Sequence, residues 1–302
     1  MGALTEDEVL ALFESCSNVG RWGPDDEHGT LNLITPEVRL AAAGTVRTGV
    51  TVSLGRDLTE RKSAKNPIPI VHRMLFDGAH DEIIGTIDSL DIAPHGWEVT
   101  HLDATGHIFF RGRMWNGRTA NEQLAFEGMR YGSVYAHREG IVTRGVLLDI
   151  PRLRGLPYLP ADTGIHAEEL DAAEARFGVR VREGDALLVR SGVAPREAAE
   201  GETAPALMPG IEPDTLPWMR DRGVAMYGGD ITDRGPSGYP QLPVPIHQVG
   251  MVAMGLCLLD NVELEALADH CAATNTYEFL LVVAPVRAPM ATGVPVNPIA
   301  IF

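Results

Sequence analysis

The segment WEVTHLDATGHIFFRGRMWNG, residues 97–117, places His101, Asp103 and His107 within seven positions. Imidazole and carboxylate groups at this density can hold a cation or pass a proton. If Glu98 to Asp103 is extended, alternate side chains share a face. His101 and Asp103 then point the same way, with Cα atoms about 6.6–7 Å apart. One cation fits above such a pair. His107 follows a turn at Gly106 and can return over the same site. A mixed nitrogen and oxygen donor set suits Zn2+ or Mn2+ better than Ca2+ or Mg2+, which prefer oxygen shells. The competing reading has histidines bonded to carbonyls at a strand end and Asp103 capping the next turn. Spacing alone leaves both open, since it matches neither a zincin helix nor a zinc finger.

The same parity puts Trp97 on the face of His101 and Asp103. An indole nitrogen is a donor only, so Trp97 is expected to wall a pocket there rather than to ligate. His95 shares the parity and would reach the site only through a bend at Gly96.

These groups need a scaffold. Residues 5–16 alternate apolar and acidic side chains at helical spacing, and Thr5 with Glu8 has capping-box form. Val50 to Leu54, Thr86 to Ile92, and the runs 140–150, 184–192, 223–230 and 278–286 read as strands. Residues 166–178 read as an amphipathic helix closed by Gly178, and 246–261 as a helix followed by extended chain. Strands and helices intermix throughout, which predicts an α/β fold. With no linker or repeat in 302 residues, the expectation is a single domain over 1–302.

Net charge of −16 argues against nucleic acid or an anionic membrane as partner. Three cysteines, an odd number without CxxC spacing, argue against a disulfide framework or a zinc ribbon. The acidic start lacks signal-peptide order, and no apolar run is long enough to span a bilayer. A cytoplasmic location is expected. Neither a phosphate-cradling glycine motif nor a G-x-S-x-G elbow occurs. Arg144 and Arg190, within or beside apolar runs, are expected in ion pairs. Trp115 and Tyr239 are either pocket walls or packing, and Asp230 is either a site residue or turn chemistry. His72, His137, His166 and His270 are expected at the surface.

Several ordered segments carry a resemblance over nearly the whole chain. THLDATGH resembles the His/Asp motif of the cyclase family of metal-dependent hydrolases, which includes arylformamidases and isatin hydrolases. RWGPDDEHGTLNLIT (21–35), RGVLLDI (144–150), GDALLVRSG (184–192), GGDITD (228–233), PIHQVGMVAMGLCLLDN (245–261) and TGVPVNPIA (292–300) are similar to further family segments. The resemblance implies a swivelling β/β/α fold, a homodimer or homotetramer, and water activated by a divalent metal to attack an amide, lactam or ester carbonyl. The arylformamidase pattern has two histidines four apart, an aspartate two later, then a distant histidine and glutamate. It maps onto His101, Asp103, His247 and most nearly Asp260 as ligands, His107 as the proton shuttle, and Trp22 as a substrate contact. The first histidine of the pattern falls at Trp97, which implies weaker metal binding or none. The distal carboxylate is an aspartate one residue farther from His247, so two metals are not expected. The activity implied is hydrolysis of a C–N bond in a small amide, lactam or N-acyl aromatic, with His107 as general base and then acid. The alternatives are lactone hydrolysis, or metal-free cyclisation, isomerisation or elimination by the His107–Asp103 pair. A third is a binding protein with an abandoned site.

Overall fold

The runs rich in Val, Leu and Ile pair into one nine-stranded sheet in a computed structural model that describes residues 4–75, 85–202 and 204–302. In chain order its strands are β1 (Thr51–Ser53), β2 (His101–Asp103), β3 (Ile141–Asp149), β4 (Ala186–Arg190), β5 (Met226–Gly229), β6 (Cys257–Asp260), β7 (Glu278–Val283), β8 (Gly293–Pro295) and β9 (Ile299–Ile301). Across the sheet the order is β1-β9-β7-β3-β4-β5-β6-β2-β8. Strands β3 to β6 run parallel, and the outer pairings are antiparallel. The parallel strands are buried on both faces, as continuous apolar runs such as LLV in β4 require. The class is mixed α/β, as expected.

Helices form where the sequence supplies ends. Thr5 and Glu8 make the reciprocal capping box of the helix Glu6–Ser15. Gly178, in left-handed conformation, closes Ala167–Phe177. Arg144 pairs with Asp185 and Glu278, and Arg190 with Asp149 and Glu265, so both are the expected ion pairs. A separate two-stranded antiparallel sheet pairs Val71–Met74 with Asp88–Asp91, the latter inside the expected strand 86–92. No helix among the described residues is long and apolar enough to cross a membrane.

One pairing matters most for the chemistry. Strand β2 lies between β6 and β8, with His101 opposite Asp260 and Asp103 opposite Gly293. Directly opposed antiparallel residues project to the same face. Register therefore gathers His101, Asp103 and Asp260 on one side of the sheet, while Leu102 joins the hydrophobic core on the other.

Candidate metal centre

Asp103 is fully buried, and four imidazoles converge on it. His95 Nδ1 lies 2.9 Å and His101 Nε2 3.4 Å from its Oδ1, while His107 Nε2 and His247 Nε2 each lie 3.7 Å from its Oδ2. Neither Asp103 oxygen accepts a hydrogen bond of acceptable geometry among the described residues, and His95 Nδ1 is likewise without one. Buried lone pairs facing one another without a shared proton are costly unless a cation sits among them. Two sets of ligand atoms lie within 4.8 Å of one another: His95, His101 and Asp103, and Asp103, His247 and Asp260. Asp103 belongs to both. The donors fit a divalent cation.

His101, His95 and His247 are each oriented by a bond from the other ring nitrogen. His101 Nδ1 is 2.8 Å from the carbonyl of Val99, which accepts its proton and leaves Nε2 free to ligate. His95 Nε2 is 3.1 Å from Thr292 Oγ1. His247 Nδ1 donates to Asp233, whose other oxygen accepts the backbone N–H of Ile246. His247 sits at the start of a π-helical segment, Ile246–Met254, whose last turn leads into β6 and so to Asp260. Thr232 Oγ1 donates 2.5 Å to Asp260 Oδ1.

Burial would raise the Asp103 carboxyl, but the charges of His101 and His107 and the contacts of His247 and His95 hold it well below the usual range. Burial pushes His107 down to about 4, with Asp103 only partly opposing it. His107 is therefore neutral near pH 7 and able to accept a proton. Burial would lower His247 as well, but Asp260, Asp233 and Asp103 outweigh it and raise it well above its ordinary value. That half of the site calls for positive charge.

Two expectations need correction. Trp97 does not occupy a ligand position. The strand begins only at His101, and the preceding residues bend at Gly96, whose φ of 137° belongs to glycine. The bend delivers His95 where the extended reading placed the indole. Trp97 turns to the rim, 40% exposed, and lines a cavity of about 850 Å³. Gly293 makes the room, since a Cβ there would stand 2.4 Å from His95 Cε1. Trp22 does not join the site within this chain. It packs near Trp115 and lines a separate depression with Asp25, Asp26 and His28.

The remaining candidates divide. His107 lies beside the cluster, stacked on His95 with ring centroids 3.8 Å apart, and Tyr239 lines the cavity. Trp115 is packing, fully buried with its indole N–H on the Asp26 carbonyl. Asp230 accepts the backbone N–H groups of Ser191, Gly192 and Val193, so it is turn chemistry. His72 and His166 pair with Asp88 and Asp214. His137 departs from the surface expectation: it is 4% exposed, and burial pushes it down to about 3. Spacing missed Asp233, Asn261 and Gly293, because their roles come from contacts between distant strands.

A profile of the family described as "Putative cyclase" matches residues 46–234, which include β1 to β5 but not His247 or Asp260. A solved structure titled a novel cyclase is 28% identical, with a TM-score of 0.85 over 96% of this chain and 99% of that one. Isatin hydrolase A from Labrenzia aggregata, bound to benzyl benzoate, is 20% identical, with a TM-score of 0.62 over 86% of this chain and 94% of that one. An isatin hydrolase bound to the product analogue thioisatinate is 17% identical, with a TM-score of 0.58 over 88% and 98%. At those identities the isatin hydrolases show a shared fold. No curated protein matches the chain.

Proposed function

The chain belongs to the cyclase family, and from that premise we propose that it is a metal-dependent hydrolase of the C–N bond in a small amide, lactam or N-acyl aromatic. One observation carries the reading: a fully buried carboxylate with both oxygens undonated, ringed by four imidazoles. His95, His101 and Asp103 would hold a divalent cation such as Zn2+ or Mn2+, and Asp103, His247 and Asp260 form a second group able to do so. When bound, such a cation lowers the pKa of water and polarises a carbonyl oxygen.

The chain's own residues supply the rest. The cavity wall is largely apolar, with Trp97, Ile108, Ile231, Tyr239 and Val244 beside the cluster. That surface suits a flat, uncharged substrate, and its low polarity strengthens electrostatic interactions inside. Arg234 also lines the cavity, but its guanidinium is paired with Glu212, so it is not a free anchor for a substrate carboxylate. His107, neutral and at the cavity edge, takes a proton from the attacking water and returns it to the departing nitrogen. Hydrolysis leaves a carboxylate and an amine.

The test is turnover of formanilide, lactam and lactone panels by the wild type and His107→Ala. The reading expects amide or lactam cleavage in the wild type and a loss of ~10²–10⁴-fold in the variant, with metal content retained. A wild-type rate in His107→Ala removes that residue from the mechanism. Activity confined to lactones moves the substrate class.

A further inference from the structure

The question left by the centre is how residue 95 becomes a ligand at all. In extended chain, eight residues separate His95 from Asp103 by roughly 26 Å at 3.3 Å per residue. Instead His95 Nδ1 lies 2.9 Å from Asp103 Oδ1. The chain must fold back between them and be held there.

Gly96 permits the bend, but crowding around it does not impose it: a Cβ built there meets nothing within 4 Å. The fixing groups come from elsewhere. Asn261, 2% exposed, sends its side-chain amide to two carbonyls of the bent segment, Gly96 at 2.7 Å and Val99 at 3.0 Å. Its own carbonyl accepts the Thr100 hydroxyl at 2.6 Å. Arg56 adds an outer tie, donating to the Trp97 carbonyl at 3.1 Å and to the Asp230 carbonyl at 2.7 Å.

We propose that Asn261 is the positioning residue that delivers His95 to the cluster: its buried amide latches residues 96–100 in the bent form and turns Trp97 to the rim. The residue type follows from two demands. The position directly after Asp260 has φ of 55°, which asparagine tolerates better than most residues. It must also offer two N–H donors to two acceptors that lack other amides. The Val99 carbonyl accepts from Asn261 and also from His101 Nδ1, so the latch and the His101 tautomer share an acceptor. Asn261 thus ties the end of β6, which carries Asp260, to the loop that carries His95.

This inference rests on the metal-site reading for its consequence, while the bend itself is tested without metal. Asn261→Gly keeps the left-handed backbone and removes the donors; Asn261→Asp keeps the shape and replaces the amide with an acceptor. In metal-free crystals of both variants, His95 is expected to have left Asp103. Co2+ titration of apo protein should show affinity reduced about 10–100-fold, as in His95→Ala. The Asn261→Gly/His95→Ala double variant should be no weaker than His95→Ala alone, because both remove one ligand. His95 still against Asp103 in the metal-free variants overturns the proposal, and so do additive losses of Co2+ affinity. Failure of the wild type to bind Co2+ sinks the metal reading, and the metal-free crystals then decide the latch on their own.

Discussion

The two halves of the centre share Asp103 and differ in what stands behind their other ligands. The His95/His101 half is backed by neutral groups, the Thr292 hydroxyl and the Val99 carbonyl. The His247/Asp260 half has the Asp233 carboxylate behind His247 and the Thr232 hydroxyl on Asp260. The first half offers two imidazoles and one carboxylate, the second one imidazole and two carboxylates with a third carboxylate behind. A carboxylate behind a histidine fixes its tautomer and raises its basicity. The halves therefore depend on different things. The first depends on backbone shape, because a bend and a missing side chain make its ligand position. The second depends on charge held in place by the segment 232–233.

The largest effect should come from the shared group. Asp103→Asn removes the charge common to both halves and should abolish binding of divalent metal in each, read by calorimetric titration. Retention of one full-affinity site would show that the halves are independent.

Gly293→Ala should break only the first half. The added methyl would lie 2.4 Å from His95 Cε1 and 3.0 Å from Asp103 Oδ1, so the imidazole must leave. Because a side chain can swing away where backbone cannot, the fold should survive with Tm little changed. Affinity in that half should fall by at least ~10-fold. A crystal structure with His95 unmoved contradicts the account of this glycine.

The smallest change expected is in Asp233→Asn, which keeps a hydrogen-bond acceptor for His247 Nδ1 but deletes the charge. Affinity in the His247/Asp260 half should drop about 10-fold while the first half is untouched. An equal loss in both halves would erase the contrast drawn between them.

Much of the centre was legible in the sequence, and the misses have physical causes. His101 and Asp103 were readable because a two-residue spacing on a strand fixes a shared face. His107, His247 and Asp260 followed from resemblance to the family pattern. Trp97 was misplaced because parity holds only while the strand continues, and β2 is three residues long. The bend at Gly96 swaps the indole for His95, and nothing local says that Asn261, 165 positions away from Gly96, will hold it. Trp22 lies at a separate depression within this chain, because a segment match fixes neither where the loop packs nor which cavity it meets. His137 was read as exposed because it lacks a partner pattern, yet its imidazole is buried near His28 without a hydrogen-bond partner among the described residues. The strands themselves were readable from their apolar runs. Their order was not, since placing β2 between β6 and β8 is a matter of long-range pairing.

The most direct measurement is metal content of purified wild type and His95→Ala by elemental analysis after equilibration with Mn2+ or Zn2+ and removal of free ion. The account predicts stoichiometric divalent metal in the wild type and loss of the metal held by the His95/His101 half in the variant. A wild type that retains no divalent metal, or a His95→Ala protein that retains as much as the wild type, would contradict it.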